Sequence, residues 1–248
     1  MRRGIMRWGM RRRRAIIAVL RASPCLASIL LGLWAFSLGP AQAQTGPVSL
    51  LDEIYQRFAP VIARSVDYAA NKPAFLNDPD RFEAGPVRDL LSNTSPAHTL
   101  TAILGEESVA LMSDAERARI VSAIRESFRR YAYEWLEDTQ MGALSLVGVE
   151  PVDGARARLQ IRRSANLSPD FTFRVDIART EEGWQAYNFG IFGVSYAGLK
   201  RAVYRATLDR GGPSGLADYL EAKNRVFFER FCASKRGPLV VACGPYRP

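Results

Sequence analysis

The sequence offers few side chains of the kinds that carry out nucleophilic, acid–base or metal chemistry. Its one histidine, His98, has no cysteine or second histidine near it along the chain. A Ser-His-Asp triad would need this residue, and no G-x-S-x-G elbow precedes any serine. The zinc motif H-E-x-x-H, the C-x-x-C pair and the glycine-rich phosphate loops are also missing from the sequence. We therefore expect His98 to be a surface or capping residue.

Neighbouring carboxylates are the next candidates, because acid–base catalysis often uses a positioned pair of them. The sequence has three such pairs in predicted turns or at helix ends: Asp78 and Asp80, Glu106 and Glu107, and Glu181 and Glu182. Solvated carboxylates are typical of such places. The sequence therefore predicts no catalytic residue, no metal site and no cofactor, and we expect the protein not to be an enzyme.

Helical periodicity dominates the first half of the chain, over residues 48–138. Apolar residues at three- and four-residue spacing predict a first helix over residues 50–69. Residues 71–86 contain three prolines and several polar residues, so we expect a loop there. Short helices are predicted over residues 87–91 and 97–104, and Gly105 is typical of a helix C-cap.

A capping box predicts where the longest helix begins. Ser113 and Glu116 have the spacing at which each side chain accepts a hydrogen bond from the other residue's backbone N–H. A long apolar face follows to Trp135, while the arginines mostly lie on the other side and are expected to be solvated. After the strands, two more helices are predicted, over residues 195–208 and 216–228, separated by Gly211-Gly212-Pro213.

Strand periodicity replaces helical periodicity between residues 141 and 191. Apolar and polar residues alternate, which indicates that one face of a sheet meets a core and the other meets water. Asp153-Gly154 and Glu182-Gly183 mark hairpin turns, so the sheet should be antiparallel. The four strands are predicted over residues 141–149, 155–162, 171–177 and 184–191. Helices, an antiparallel sheet and further helices indicate an α+β fold.

The N-terminus resembles a secretion signal. Residues 1–43 contain eight arginines and no acid, then an apolar run over residues 25–38, and they end in the A-x-A pattern Ala41-Gln42-Ala43. We expect a signal peptide cleaved after Ala43, an uncleaved membrane anchor being the alternative. The formal charge of the whole chain is +9, but residues 44–248 contain 26 basic and 25 acidic residues. A nucleic-acid binder needs a concentrated basic surface, so we reject that function.

Two cysteines remain after the predicted cleavage, Cys232 and Cys243. An even count and export to an oxidising compartment favour one disulfide between them. Two free thiols or a metal site are the alternatives, and the lack of a nearby histidine argues against the metal. We expect this bridge to tie down a C-terminal tail, residues 231–248.

Several short motifs follow one another in a fixed order along the predicted domain. They are Leu104-Gly105, Met112-Ser113-Asp114-Ala115-Glu116-Arg117, Trp184-Gln185-Ala186-Tyr187-Asn188, Gly193-Val194-Ser195, Tyr204-Arg205, Gly212 and Gly215-Leu216. In this order they resemble the signature of the MlaC-type carriers, a family of periplasmic phospholipid-binding proteins also called the toluene-tolerance family. The resemblance covers roughly residues 48–225. The hopanoid-associated carriers share the signature, so the class of lipid stays open.

The resemblance implies a fold and a function for residues 44–230, taken as one lipid-binding domain. The fold is a curved antiparallel sheet of about four strands packed against helices, akin to the nuclear-transport-factor shape. Between them lies an apolar cavity that holds acyl tails. The implied partners of the monomeric carrier are phospholipid, a lipid-transport ATPase complex at the inner membrane and a lipoprotein–porin complex at the outer membrane. We expect the cavity walls to include Phe128, Tyr131, Trp135, Val147, Val149, Leu159, Ile161, Phe173, Val175, Tyr187 and Phe189.

The sequence also departs from the family pattern. Family members usually show an acid where Asn188 stands and a polar residue where Phe192 stands. Residues 71–94 match poorly, and the tail with its two cysteines is additional. Two other functions stay open from the sequence: an enzyme built on the same cone-shaped architecture, and a periplasmic adaptor with a filled core.

Overall fold

A computed structural model of the chain describes residues 49–138, 143–165 and 168–233. They belong to one unit of the chain, Thr45–Pro248. The predicted signal peptide, residues 1–43, lies outside the described residues, and so do residues 234–248 of the predicted tail. Cys243 is among the latter, so its bridge to Cys232 stays a prediction.

The first helix, α1, spans Leu50–Ala70, close to the range that the apolar periodicity predicts. Ser49 caps it, because its hydroxyl accepts a hydrogen bond from the backbone N–H of Asp52 at 3.2 Å. Ile54, Phe58 and Ile62 form its buried stripe. This stripe packs α1 against the inner face of the sheet, with most of its contacts on the first strand.

The segment that we expected to be a loop, residues 71–86, is helical, so that prediction is wrong. It folds into short helices and a π-helical turn: α2 (Lys72–Asn77), α3 (Pro79–Phe82), the turn Glu83–Val87 and α4 (Arg88–Ser92). Pro73 and Pro79 lie in the first turns of their helices. A proline is tolerated there because the backbone N–H at these positions needs no partner within the helix.

Three helices follow in close succession: α5 (Pro96–Leu104), α6 (Glu106–Ala110) and α7 (Asp114–Asp138). Gly105 ends α5 at a φ of 90°, a backbone conformation that favours glycine. The predicted capping box precedes α7. The backbone N–H of Ser113 donates to Glu116 Oε2 at 2.9 Å, and that of Glu116 donates to Ser113 Oγ at 3.3 Å.

The sheet is antiparallel throughout, and its strands lie side by side in chain order. They are β1 (Ala143–Pro151), β2 (Arg156–Ala165), β3 (Ser168–Thr180), β4 (Gly183–Ile191) and β5 (Val194–Ser195). The fifth strand, absent from the prediction, is only two residues long and pairs back onto β4. The described residues thus confirm an α+β fold with an antiparallel sheet.

The last helix, α8, spans Tyr196–Ala233 and is broken at Gly212, whose φ of 63° and ψ of −168° are not helical. This break lies where the sequence predicts the separation of two helices. The first part of α8 packs with α5 and α7, and its end joins an aromatic cluster that contains Phe82, Tyr133 and Phe228. Within the described ranges, no helix is both long and apolar enough to span a bilayer.

Candidate functional site

A cavity of about 430 Å³ lies between the inner face of the sheet and helices α1, α4, α7 and α8. Its volume is within the range of about 300–1,000 Å³ that is usual for ligand pockets. We call it the apolar cavity, because most of its walls are aliphatic or aromatic side chains. They are Phe58, Val61, Ile62, Tyr68, Pro86, Leu90, Phe128, Tyr131, Leu144, Leu159, Ile161, Phe173, Val175, Ala186, Tyr187, Phe189 and Tyr196.

The central strands supply the floor of the cavity through their register. Leu159 on β2 pairs with Val175 on β3, and Ile161 pairs with Phe173. Paired residues project from the same face of a sheet, so these four side chains form a continuous apolar surface. Phe189 on β4 pairs with Val175 and extends that surface to the next strand. The alternation in the sequence predicts this face of β2 and β3.

A β-bulge in β1 reverses part of the predicted pattern. Leu146 pairs with Ile161 and Gly148 pairs with Gln160, so Val147 is an extra residue between the two pairs. Val147 does not line the cavity, and the residue is 40% exposed. The expectation for Val147 is therefore wrong, because strict alternation does not hold across a bulge.

The same bulge decides the positions of the other β1 side chains. Val149, although it packs against the apolar cluster beside the cavity, is not one of the cavity's lining residues. Leu144 does line it, and alternation counted from Val147 would have put Leu144 on the outer face.

A second irregularity lies in β4, at Tyr187. Asp176 pairs with Asn188 and Ile177 pairs with Ala186, which leaves Tyr187 as the extra residue. Its carbonyl oxygen accepts a hydrogen bond from the Thr99 hydroxyl at 2.7 Å, which joins the bulge to α5. The bulge lets Ala186, Tyr187 and Phe189 all line the cavity.

The helices complete the cavity walls, and the sequence predicts only some of the helix residues that do so. Phe128 and Tyr131 of α7 line the cavity, as we expected, whereas the side chain of Trp135 lies outside the described part of the chain. The sequence does not predict three sets of wall residues on the helices: those of α1, Leu90 of α4 and Tyr196 of α8. The α1 residues Phe58, Val61 and Ile62 have helical spacing, so periodicity could have placed them on one inward face.

Comparison with known proteins gives the family. A family model described as MlaC protein matches residues 89–222, more than half of the chain. The chain belongs to the MlaC family. No curated protein sequence matches this MlaC chain significantly.

A solved structure of a phospholipid-binding protein from Ralstonia solanacearum, in complex with a phospholipid, has the same fold as this MlaC chain. The two chains are 13% identical in sequence and superpose with a TM-score of 0.54. The match covers 71% of this chain and 96% of the other. It includes most of the region described above.

The polar groups on the cavity wall of this MlaC protein are largely held by protein partners. Asp89 accepts a hydrogen bond from Arg64 Nε at 2.6 Å and another from the Tyr68 hydroxyl at 2.8 Å. Burial, together with the hydrogen bond to Asp89, raises the pKa of Tyr68. Asn93 donates from Nδ2 to the Asp89 carbonyl at 2.7 Å, but none of the described residues donates to its Oδ1.

His98, the one histidine of the sequence, lies away from the wall of the apolar cavity. Ser95 caps α5, and its hydroxyl lies 2.8 Å from Nδ1 of His98, so the histidine belongs to the cap as expected. His98 does not line the apolar cavity. Over the described ranges, no three histidine, cysteine or carboxylate side chains come together in a way that could hold a metal ion.

Proposed function

We propose that this MlaC-family protein is a lipid carrier that encloses acyl chains of a phospholipid, or of a hopanoid-type lipid, in the apolar cavity. The observation that carries the proposal is the cavity itself, whose walls are aliphatic and aromatic on both the sheet and the helix side. Family membership supports it. Further support comes from the similar fold of the Ralstonia solanacearum protein, which was solved with a phospholipid.

The physical reason for such a cavity is the cost of exposing hydrocarbon to water. Each methylene group costs about 0.8 kcal/mol when it moves from an apolar environment into water. A carrier between membranes must therefore surround the chains with apolar side chains, and it needs no catalytic group. Eight of the wall residues expected from the sequence surround the cavity and can shield the chains in this way. They are Phe128, Tyr131, Leu159, Ile161, Phe173, Val175, Tyr187 and Phe189.

The proposal includes a location and partners that come from the sequence. The signal-like residues 1–43 favour export to the periplasm, where a monomeric carrier would move lipid between the inner and outer membranes. The resemblance to MlaC-type carriers implies an ATPase complex as the inner-membrane partner and a lipoprotein–porin complex as the outer-membrane partner. We propose no nucleic-acid partner.

A substitution that fills the cavity tests the proposal. Val175→Trp puts an indole into the space, whereas Thr172→Trp puts the same group on the exposed face of β3. We expect Val175→Trp to weaken lipid binding about tenfold or more, because displacing only two methylene groups costs that much. Thr172→Trp should bind lipid like the wild type. The measurement is native mass spectrometry of purified protein after incubation with phospholipid vesicles.

Other results would favour the alternatives. Wild-type protein that neither copurifies with lipid nor takes it up from vesicles would contradict the carrier function. Turnover of a bound small molecule would favour an enzyme. A filled core would have favoured an adaptor, and the 430 Å³ cavity argues against that.

A further inference from the structure

A second cavity, of about 410 Å³, adjoins the apolar cavity. Three aromatic residues line both cavities, Tyr131, Phe189 and Tyr196. The hydroxyl oxygens of Tyr131 and Tyr196 lie 3.4 Å apart, and the rings of Phe189 and Tyr196 stack with centroids 5.3 Å apart. These three side chains therefore form a wall shared by the two cavities, which we call the aromatic partition.

The second cavity differs from the first in charge. Arg130, Lys200 and Lys223 line it, and no carboxylate does so among the described residues. Lys200 Nζ lies 5.7 Å from the ring centroid of Tyr131 and 5.4 Å from that of Tyr196, and the Arg130 guanidinium lies 4.8 Å from that of Tyr131. Positive charge thus lies directly beside the aromatic partition. We call this space the basic cavity.

Two of these three cations have no acidic partner among the described residues, and the third has one. In the described ranges, no carboxylate forms an ion pair with Lys200 or Lys223. Within the described residues, Arg130 forms one ion pair: its Nε lies 3.3 Å from Glu134 Oε1, but the two groups are not aligned for a hydrogen bond. Arg130 is nevertheless almost completely buried. A buried guanidinium and two lysines without acidic partners make the basic cavity favourable for an anion.

The pKa of the Tyr131 hydroxyl is consistent with this positive charge. Burial favours its neutral form and would raise its pKa. The hydrogen bond with Tyr196 and the positive charges of Lys200 and Arg130 act in the other direction, and the net effect holds the pKa of Tyr131 below its ordinary value. The positive charges of Lys200 and Arg130 would therefore also stabilise a negatively charged group of a ligand beside Tyr131.

We infer that the basic cavity binds the phosphate group of the lipid whose acyl chains lie in the apolar cavity. The inference rests on the proposed function, because the headgroup reaches the lysines only if the chains occupy the neighbouring space. The three partition residues contribute to both sites, because Tyr131, Phe189 and Tyr196 line both cavities. A lipid without a phosphate gains nothing from Lys200 and Lys223, so the inference predicts selectivity for phospholipid.

The test compares three lipids that share oleoyl chains and are offered in the same vesicles: phosphatidylglycerol, phosphatidylcholine and diacylglycerol. Native mass spectrometry counts each lipid on the purified protein. We expect the wild type to take up both phospholipids about tenfold more than diacylglycerol, because hydrogen bonds to charged groups contribute that much. Lys200→Gln combined with Lys223→Gln leaves only Arg130 and should reduce the preference for phospholipid over diacylglycerol severalfold.

Two matched variants separate charge from other effects. Lys72→Gln combined with Arg210→Gln also removes two positive charges, at residues that line neither cavity, and should keep the wild-type preference. Lys200→Arg combined with Lys223→Arg keeps both charges and should retain phospholipid uptake. Melting temperatures within a few degrees of the wild type would show that all three double variants fold.

The outcomes distinguish the inference from the function on which it rests. Equal uptake of the three lipids by the wild type and by the double glutamine variant would overturn the headgroup site and leave the carrier function standing. No uptake of any lipid would contradict the carrier function itself. Calorimetry with inorganic phosphate gives a third result. Lysine-dependent phosphate binding together with equal lipid uptake would assign the basic cavity to free phosphate and overturn the headgroup inference.

Discussion

Single polar residues around the apolar cavity are arranged so that the wall stays apolar. Asn188 donates to Asp176 Oδ2 at 2.7 Å, and its own Oδ1 accepts from the Ala197 N–H at 3.0 Å. An amide performs both roles at once, whereas a carboxylate in its place would face Asp176 with like charge. Arg158 and Arg174 lie 3.4 and 3.3 Å from Asp176 Oδ1 and offset its charge. The polar atoms of this corner are thus engaged with one another, and α8 is tied to β4.

The buried hydroxyl of Tyr133 on α7 is expected to contribute to stability. The side chain of Tyr133 is fully buried, and its hydroxyl donates to Glu83 Oε1, which Arg129 also contacts. Tyr133→Phe should lower the free energy of unfolding by about 1.5 kcal/mol, because a hydrogen bond to a charged group is lost. Tyr55→Phe, at an exposed position, should change it by less than about 0.5 kcal/mol. Urea denaturation measures both, and equal effects would contradict the assigned role of Tyr133.

Among the elements, the break in α8 determines how the last helix covers the domain. At Gly212 the backbone adopts a φ of 63°, which residues with a side chain rarely adopt. The helix before the break packs with α5 and α7, and the helix after it reaches the aromatic cluster around Tyr133. The direction of the second part therefore depends on one glycine.

Alanine substitutions at adjacent glycines test this dependence. Apart from the adjoining backbone, no atom lies within 4 Å of a Cβ added at Gly211 or at Gly212, so neither alanine would clash with a packed neighbour. Only Gly212 has a positive φ, and Gly212→Ala should lower the free energy of unfolding by about 1–3 kcal/mol through backbone strain. Gly211→Ala should be neutral or stabilise the protein by up to about 1 kcal/mol, since alanine is the better helix former. Thermal unfolding measures the stability of both variants, and equal changes would contradict the assigned role of the positive φ at Gly212.

Local patterns in the sequence predicted the elements better than they predicted the irregularities within them. The capping box at Ser113, the C-cap at Gly105 and the break at Gly212 are each specified by residues next to one another, and the structure confirms them. The bulge at Val147 depends on pairing with β2, which no local pattern reveals. The three prolines of residues 71–86 predict a loop, but two of them lie in the first turns of helices, where proline is tolerated.

At the scale of the whole molecule, the cavity is the feature that composition could not reveal. The apolar side chains of β2, β3 and α7 would look the same in the sequence whether they filled a core or lined a space. Only the separation of the sheet from α1, α4 and α7 decides between these arrangements, and that separation is a product of packing across the domain. The resemblance to a family supplied the expectation of a cavity, and the described residues provide its walls.

Buried tyrosines predict how the stability of the whole protein depends on pH. Burial raises the pKa of Tyr133, Tyr196 and Tyr204, whereas the pKa of Tyr131 is lowered. A raised pKa keeps the folded state protonated when the unfolded state loses its proton. The stability from these three residues is therefore present below pH about 10, the ordinary tyrosine pKa, and is lost as the pH rises further.

This loss is measurable by urea denaturation at pH 8, 10 and 11. We expect the free energy of unfolding to fall above pH 10, by up to about 1.4 kcal/mol per pH unit for each of the three tyrosines. Tyr133→Phe removes one of them and should show a smaller fall. A free energy that stays constant from pH 8 to pH 11 would contradict the buried, protonated state of these hydroxyls.

The position of a bound acyl chain in the protein would show directly whether the apolar cavity holds lipid. A crystal of the protein loaded with a phospholipid that carries bromine on its acyl chains would show that position by anomalous diffraction. We expect bromine peaks inside the apolar cavity, between Leu159 and Phe173 on the sheet and Phe58 and Phe128 on the helices. Bromine found only on the outer surface, with the cavity free of lipid, would contradict this expectation.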